Sequence, residues 1–414
     1  MGTTAVSPSQ PKLSTAGANA LAIAAIRNNA VLKRIQLNGV SIATPATNPS
    51  VTIQLQNVGL LRGVLIRWIA TATNANATTQ ATPSDFAGAN FFSQIAYNDF
   101  ANITRIQTTG AHIFMLDSLR RQGIMGAAYT NDIPGAFGSV WGNLTQCPNV
   151  PQAGGTANLG GYLYIPVAYS DTDLRGSVFS NITNASQSIT LTINTTSICA
   201  PTGSDNLNAI YQGPGATDIT LSNVGITAYQ DIYDQLPDYR FLPPGITPAD
   251  WQTATGDRSG LMLPSWSMRW MYEMKFSPFT GITAGVENPY PYSNQRQFLS
   301  TIAIYQNGGT PQRPPNGTDT TYWRLVASNS YEWWKMTPGT VAFETRRLIG
   351  DDFPLGVYVF DTRQRPINTI VSGNLQLVQF PSSAGPTAKT TLYYEDFALT
   401  ATVTGATSLA AGTN

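Results

Sequence analysis

The chain has 414 residues and a formal net charge of zero, with 11% charged and 42% hydrophobic residues. Globular domains usually carry about 25% charged residues, so this composition excludes a charged disordered chain, a coiled coil and a collagen. Abundant Thr, Asn, Ser and Gln, beside 36 Gly and 27 Pro, predict strands joined by neutral polar loops. A surface with so little charge is poorly protected against association, so we expect much of it to contact partners.

The charge is unevenly distributed along the chain. Residues 1–84 contain six basic residues and no acidic residue, and the first acid is Asp85. This asymmetry predicts a basic N-terminal arm that meets an anionic partner, namely lipid headgroups, nucleic acid or the acidic body of a neighbouring copy. The alternative reading is chance in a chain with few charges.

Residues 14–36 are the best helix candidate, because Ser14 can serve as the N-cap of an Ala-rich stretch. The apolar stripe of this helix would consist of Ala18, Leu21, Ala24, Ala25, Leu32 and Ile35, with Arg27, Lys33 and Arg34 across from it. Such a basic amphipathic helix fits a membrane surface and also fits docking on the protein body. No apolar run reaches the ~20 residues of a membrane span.

After Pro45 the apolar residues alternate with period two, beginning with a half-buried strand at Val51, Ile53 and Leu55. Further strands are predicted at 64–70, 91–97, 162–167, 188–193, 219–228, 268–276, 298–305, 322–327, 357–360, 375–380 and 391–403. Short helices are predicted at 112–122 and 341–349, and the Pro-rich stretch 235–250 is interpreted as a linker. Many strands separated by turn residues favour β-sandwiches over βαβ units.

The halves on either side of this linker show similar segments in the same order. The matched pairs are 66–68 with 268–270, 91–96 with 298–303, the helical Arg pairs 120–121 with 346–347, and the Asp-Thr pairs 171–172 with 361–362. We therefore predict a tandem duplication, with Arg67-Trp68 and Arg269-Trp270 at equivalent strand positions and Phe91–Ala96 superposing on Phe298–Ala303. An eight-stranded jelly roll suits a unit of this size.

Residues that could carry catalysis are scarce. The single histidine, His112, lies among apolar neighbours, which favours packing over a role in a catalytic triad. Cys147 and Cys199 are too few for a disulfide scaffold, and two buried thiols fit better than one disulfide, although one pair stays open. Adjacent acids on a strand point to opposite faces, so neither Asp351-Asp352 nor Glu395-Asp396 converges on a substrate. We predict no enzymatic activity, metal or cofactor.

Two other functional classes stay open on the residues alone. One is a secreted tandem β-sandwich that binds carbohydrate, since Trp323, Tyr331, Trp333 and Trp334 could line a sugar platform, although core or interface packing is the more common use. The other is a jelly-roll glycosidase, which would need two convergent carboxylates in a cleft.

Several segments, in this order, match one known family. They are Leu163–Leu174, Ala209–Gly213, Tyr233–Pro237, Leu299–Ala303 with Asn307–Gly309, and Thr345–Arg347 followed by Asp352–Pro354 and Gly356–Tyr358. From about Asn57 to Tyr394 the chain resembles the major capsid protein of tectiviruses, phages with an internal membrane beneath an icosahedral shell. The first 45 residues and the last dozen match only in character.

This resemblance implies an all-β fold of two tandem eight-stranded jelly rolls, a double jelly roll, with an N-terminal helix and short connecting helices. The implied boundaries are an arm at 1–44, jelly rolls at 45–240 and 241–403, and a flexible tail at 404–414. Three copies of a duplicated unit would give six similar lobes, so the resemblance implies a homotrimeric, pseudo-hexagonal capsomer that tiles the shell. The expected localisation is the virion, with assembly in the host cytoplasm.

The resemblance also implies partners. The N-terminal arm is expected to face the internal membrane or a neighbouring capsomer through Arg27, Lys33, Arg34, Leu21, Leu32 and Ile35. Minor capsid proteins and vertex proteins are expected partners, and direct sequence-specific binding of nucleic acid is not expected. Segments 123–159, 201–216 and 306–320 are candidate loops of the outer surface, where Gly-, Pro- and Asn-rich loops are common.

Overall fold

The structure is a computed structural model that describes residues 13–84, 86–100, 102–121, 136–138, 144–170, 173–180, 186–201, 207–263, 270–307, 310–311, 319–328, 331–349 and 357–399. These residues form mostly strands, with helices at the N-terminus and in connections. The helices are α1 (Thr15–Asn29), α2 (Gly110–Arg121), α3 (Pro248–Thr255), α4 (Pro338–Ile349) and α5 (Thr369–Ser372).

The strands divide into two sets along the chain. The first set comprises β1 (Val31–Gln36), β2 (Val40–Ile42), β3 (Ser50–Gln54), β4 (Leu60–Asn74), β5 (Thr82–Pro83), β6 (Phe92–Asn98), β7 (Thr104–Thr108), β8 (Ala136–Gly138), β9 (Leu144–Gln146), β10 (Gly155–Pro166), β11 (Val178–Phe179), β12 (Ser188–Ile193), β13 (Cys199–Ala200), β14 (Tyr211–Gln212) and β15 (Ile219–Asp234). The second set comprises β16 (Trp270–Thr280), β17 (Asn288–Pro291), β18 (Arg296–Asn307), β19 (Thr310–Pro311), β20 (Thr320–Ala327), β21 (Tyr331–Met336), β22 (Val357–Asp361), β23 (Ile367–Asn368), β24 (Leu375–Pro381) and β25 (Lys389–Leu399).

Both sets have the jelly-roll strand order. In the first roll, the order β1-β15-β4-β10 forms one sheet and β3-β12-β6-β7 the other. In the second roll, the corresponding orders are β16-β25-β18-β22 and β17-β24-β20-β21. In each roll the first principal strand therefore pairs with the last, and α2 and α4 both follow the fifth strand. The predicted all-β double jelly roll is confirmed.

The sequence matches that suggested the duplication do not superpose. Phe91–Ala96 leads into and occupies β6, the fourth principal strand of its roll, whereas Phe298–Ala303 lies in β18, the third. Arg67-Trp68 lies in β4, the third strand, whereas Trp270 begins β16, the first, and Arg269 is outside the described residues. The two predicted equivalences are wrong, because alternating strands of one fold share similar apolar patterns wherever they lie in the order.

The N-terminal helix is shorter than expected. It begins at Thr15, with Ser14 accepting the Gly17 N–H, but ends at Asn29 instead of residue 36. Residues 31–36 form β1, which pairs antiparallel with β15 from Val31 opposite Asp234 to Gln36 opposite Tyr229. Residues 31–42 therefore belong to the sheet of the first roll and not to the arm expected at 1–44. Sheet hydrogen bonds and the β-branched Val31 and Ile35 outweigh the helical spacing.

Each predicted strand overlaps an observed strand, and both predicted short helices are present. The predicted loop 123–159 contains β8, β9 and the start of β10, while 201–216 contains β14 and 306–320 contains β19. Within the interpreted linker 235–250, a short 3-10 helix forms at Tyr239–Phe241 and α3 begins. The expected strand residues 400–403 and the tail 404–414 lie outside the described residues.

One end of the molecule, which we call the base, collects the N-terminal helix and the connection between rolls. The start of β1 pairs with the end of β15, so α1 and the beginning of the linker share this end. The start of β16 pairs with the end of β25, and the start of β18 pairs there as well, through Arg296 opposite Ala398. Because β16 runs parallel to β7, the two rolls stand side by side with the same orientation.

Candidate assembly interface

The two jelly rolls lie side by side and join through unlike faces, which we call a head-to-tail contact, into one continuous structure. The fifth strand of the first roll, β7, pairs in parallel with β16, the first strand of the second, through Ile106 opposite Met274 and Gln107 opposite Lys275. A single hydrophobic core contains the interior of the first roll and the outer face of the sheet β16-β25-β18. The interior of the second roll is a separate core around Trp323, Phe298 and Leu377.

Helix α2 fills the space between the rolls. Ile113, Met115, Leu116 and Leu119 on this helix are almost completely buried. At its C-terminal end, Arg120 donates to Glu395 Oε2 at 2.7 Å and to the Tyr169 carbonyl at 2.6 Å, and its guanidinium also contacts the Tyr272 hydroxyl. Arg120 thus connects the first roll to both β25 and β16 of the second.

Glu395 is fully buried at this contact and fully paired. The Tyr272 hydroxyl donates to its Oε2 at 2.7 Å, and the Ser300 hydroxyl donates to its Oε1 at 2.8 Å. Burial alone would raise the pKa of Glu395, but the charges of Arg120 and Arg363 and these hydrogen bonds hold it below the ordinary value. Glu395 therefore stays ionised and attracts Arg120 across the junction.

A second charged cluster lies on the other face of β25. Its three acids and three bases are Asp99, Glu273, Asp396, Arg105, Lys275 and Arg296. Arg105 bridges the rolls, because it donates to Asp99 at 2.7 Å and to Glu273 at 3.0 Å. Burial and the nearby Glu273 raise the pKa of Asp396 to about 7, since the nearest guanidinium nitrogen, on Arg296, is 3.9 Å away.

The candidate catalytic groups that the structure describes lie in buried ion pairs or packing contacts. Glu395 and Asp396 contact different partners on opposite faces, as predicted, while Asp351-Asp352 lies outside the described residues. His112 is fully buried, hydrogen-bonded to Thr108 and packed against the Tyr393 ring, and burial lowers its pKa to about 3. It therefore stays neutral, as expected of a core histidine.

Both cysteines are free thiols. Cys147 and Cys199 are buried, and burial raises their pKa values to about 12 and about 11 respectively. Across the described part of the chain, no group of three potential metal ligands occurs, and no helix has the length and apolarity to cross a membrane.

The outer side of the second roll leaves aromatic residues uncovered. We call this the α4–β21 face: Phe343 on α4 is 65% exposed, Tyr331 on β21 is 60% exposed, and Trp333 beside it is 42% exposed. A groove of about 590 Å³ runs between α4 and β21, lined by Trp333, Trp334, Met336, Val341, Leu348 and Phe360. Of the four aromatics considered for a sugar platform, Trp323 is buried in the core and Trp334 stacks on Phe360 at 4.8 Å.

The first roll has a second uncovered surface, which we call the β1 face. It consists of edge strand β1 and the outer side of β15-β4-β10, where Leu32, Ile69 and Tyr162 are exposed apolar residues and Arg67 is also exposed. Within the described chain, β1 pairs only with β15 and β21 pairs only with β20. Edge strands with unpaired backbone groups are available for pairing with another chain.

The predicted residues of the basic arm lie in different elements and differ in exposure and pairing. Arg34 forms two hydrogen bonds to Asp231 at 2.7 and 2.8 Å, and Lys33 pairs with Asp234, so both bases are neutralised by β15. Arg27 is exposed in the last turn of α1. Ile35 packs toward the core of the first roll, whereas Leu32 is exposed on the β1 face.

Helix α1 docks on the protein body. Its buried residues are Ala18, Ala22 and Ile26, and Leu21 is only partly buried beside them. Ala18 and Ala22 form a small core with Trp251 and Ala254 of α3, and the Thr15 hydroxyl donates to the Ala254 carbonyl at 2.8 Å. The sequence did not reveal this contact, because α3 begins in the segment interpreted as a linker and no helix was predicted there.

The chain is similar to phage capsid proteins over most of its length. The family model described as P3 major capsid protein N-terminal matches residues 18–236, and that described as P3 major capsid protein C-terminal matches residues 269–411. Major capsid protein P3 of Enterobacteria phage PRD1 is 32% identical over 354 residues, covering 85% of this chain and 84% of that protein.

Solved viral structures share the fold at much lower identity. The crystal structure of the STIV MCP has a TM-score of 0.58 and 12% identity, covering 89% of this chain and 97% of that one. A chain from the atomic structure of Sulfolobus Turreted Icosahedral Virus has a TM-score of 0.58 and 11% identity, covering 89% and 91%. These likenesses show that the chain shares its fold with these viral proteins.

Proposed function

Since the chain belongs to the P3 major capsid protein family and is a structural component of the virion capsid, we propose that three copies close into a ring of six jelly rolls. Each ring is a pseudo-hexagonal capsomer that tiles the shell. Family membership favours a capsid role over the carbohydrate-binding and glycosidase alternatives. Self-assembly into a capsid lattice follows from it directly, whereas the trimer and its contacts are the proposal.

The observation that carries the trimer is the head-to-tail junction inside the chain. There, the fifth strand and following helix of one roll, β7 and α2, pack on the first strand and outer sheet face of the next, β16-β25-β18. The equivalent surfaces at the two free sides of the chain are uncovered. They are the α4–β21 face of the second roll and the β1 face of the first roll. A repeated head-to-tail contact closes a ring when its rotation permits, and three two-roll chains supply six positions.

The two faces also match chemically. Phe343, Tyr331 and Trp333 on one face would meet Ile69, Tyr162 and Leu32 on the other, so exposed apolar surface is buried on both sides. Aromatic anchors of this type dominate the binding energy of protein interfaces. By analogy with β7 and β16, we expect β21 to lie parallel to β1 of the neighbouring copy.

Light scattering on the purified chain at micromolar concentration tests the trimer. We expect the mass of three chains for the wild type, and a monomer for Trp333→Ser combined with Phe343→Ser. Val286→Ser is the matched control, because Val286 is 48% exposed in the connection from β16 to β17, at the end opposite the base. A wild-type chain that stays monomeric would refute the trimer.

We also propose that the base faces a membrane beneath the shell. Helix α1 lies at this end with exposed Arg27, and Phe241 of the linker is 48% exposed there. A base near anionic headgroups is attracted by about 1 kcal/mol. Because Lys33 and Arg34 are paired with acids, Arg27 supplies the attraction among these three bases of the arm. Contacts of the arm with neighbouring capsomers, and of the chain with minor capsid and vertex proteins, stay predictions, as does the absence of sequence-specific nucleic acid binding.

A further inference from the structure

A short turn of the second roll holds two aliphatic side chains out in solvent. In α5, Ile370 is 52% exposed and Val371 is 83% exposed, the highest exposure of any large hydrophobic residue in the described chain. The preceding Thr369 is buried, where its hydroxyl accepts the Arg296 N–H at 2.8 Å and donates to the Arg296 carbonyl at 3.0 Å. The turn is thus fixed to the first residue of β18.

Both ends of the turn are capped. Asn368 Oδ1 accepts the Ile370 N–H at 3.0 Å, and the N–H of Gly373, in the positive-φ region at +78°, donates to the Thr369 carbonyl at 3.1 Å. The Ser372 hydroxyl donates to the Asn368 carbonyl at 3.1 Å. Isoleucine and valine are poor helix formers, so these caps and the Thr369 anchor hold the apolar pair in its exposed position.

The turn projects from the base. Asn368 pairs with Gln297 at the start of β18, beside the end of β25, and this is the end that carries α1 and the linker. Residues 362–374 contain two arginines and no acid. Of these arginines, Arg363 pairs with Asp361 at 2.8 Å, whereas Arg365 is exposed. Two exposed aliphatic side chains on the same segment as an exposed base suit the boundary between acyl chains and anionic headgroups.

We propose that Ile370 and Val371 insert into the surface of the internal membrane, with Arg365 among the headgroups. This insertion would give the capsomer a membrane contact on the second roll, independent of the N-terminal helix. The inference rests on the proposed orientation of the base toward the membrane. A lipid surface fits better than a neighbouring protein, because two aliphatic side chains on a projecting turn offer insertion depth but little flat contact area. Three copies in a capsomer would add their contacts by avidity.

Flotation of the full-length protein with vesicles tests this contact. We use vesicles of phosphatidylglycerol and phosphatidylcholine, and compare the wild type with Ile370→Ser combined with Val371→Ser. Loss of two inserted aliphatic side chains should weaken vesicle binding at least about tenfold. Val286→Ser, which changes an exposed aliphatic residue at the opposite end, should bind as the wild type does. Thr369 is untouched, and unchanged melting temperatures will show that the variants stay folded.

An environment-sensitive fluorophore on Val371→Cys gives an independent readout. Cys147 and Cys199 are buried, so labelling is selective for the new thiol. A blue shift on addition of vesicles, absent for Val286→Cys, is expected. Wild-type binding by the double serine variant, or no vesicle binding by the wild type, would overturn the inference. A blue shift that follows protein concentration and not vesicles would assign the turn to a protein contact and overturn it as well.

These outcomes are separate from failure of the trimer. Light scattering reports the oligomeric state without vesicles, so a monomer refutes the proposed capsomer while the vesicle assay still decides the role of the turn.

Discussion

Helices α2 and α4 occupy the same place in their jelly rolls, yet their surroundings differ. Helix α2 is covered on both sides, with Ile113, Leu116 and Leu119 at most 1% exposed, because the second roll lies against it. Helix α4 buries Val341 and Thr345 on its inner side and leaves Phe343 65% exposed. The difference supports the proposal that α4, like α2, packs against a neighbouring roll, which for α4 would belong to another chain.

The first test compares the arginines at the ends of the two helices. Arg120→Ala leaves Glu395 buried without its main counter-charge, so we expect the free energy of unfolding to fall by about 3–5 kcal/mol. Arg346→Ala, at the exposed end of α4, is the matched control and should change it by about 0.5 kcal/mol or less. Denaturant unfolding measures both, and equal losses would show that the helices are not distinguished by their cover.

The second test concerns the exposed side of α4. Phe343→Ser should leave the unfolding of the isolated subunit nearly unchanged, because the side chain is exposed there. In the assembled protein it should weaken association by about 2 kcal/mol or more for each interface, as for a central aromatic anchor. Concentration-dependent light scattering gives the dissociation constant. An unchanged constant would remove α4 from the subunit interface.

The third test uses the two adjacent carboxyl groups of β25, whose pKa values are shifted in opposite directions in the folded state. Because the folded-state pKa of Asp396 is raised to about 7, this group favours the folded state at low pH, and that contribution is lost as the pH rises from about 4 to 7. Asp396→Asn should therefore become relatively more stable across this window, with a slope of at most about 1.4 kcal/mol per pH unit.

Glu395→Gln should show the reverse trend. The pKa of Glu395 is lowered in the folded state, so its stabilising contribution is present above the unfolded-state value and is lost as the pH falls. The deficit of this variant should therefore shrink toward low pH. Unfolding curves between about pH 2 and 8 check both variants, and parallel curves for them would contradict the assignment.

The smallest expected effect is a difference in vesicle binding among variants of the three bases of the arm. Arg27→Gln should weaken binding to phosphatidylglycerol vesicles by about 1 kcal/mol, and added salt should reduce the difference. Lys33→Gln and Arg34→Gln should change vesicle binding less, because Asp234 and Asp231 already neutralise these bases. Equal losses for all three variants would show that the ion pairs with β15 open at the membrane.

Much of the architecture could be predicted from local pattern. Alternation along β3 and β12, and the capping position of Ser14, indicate elements that the structure contains, because residue spacing reports which side of an element is buried. Edge elements with weaker alternation, such as β1 and β21, were missed, since their partner is on one side only within the described chain. The matched segments at 91–96 and 298–303 misled for a different reason, because apolar alternation does not encode strand order.

The sequence by itself determined the strand-rich class, the lack of a catalytic constellation, the basic N-terminal region and the capsid family, since these depend on composition, spacing and extended similarity. Only the tertiary structure decided which charges are available. Lys33 and Arg34 meet acids of β15 that are about 200 positions away, and Arg120 meets Glu395 275 positions away. It also decided that Val371 is exposed while equally apolar residues are buried, because exposure depends on what the fold places opposite a side chain.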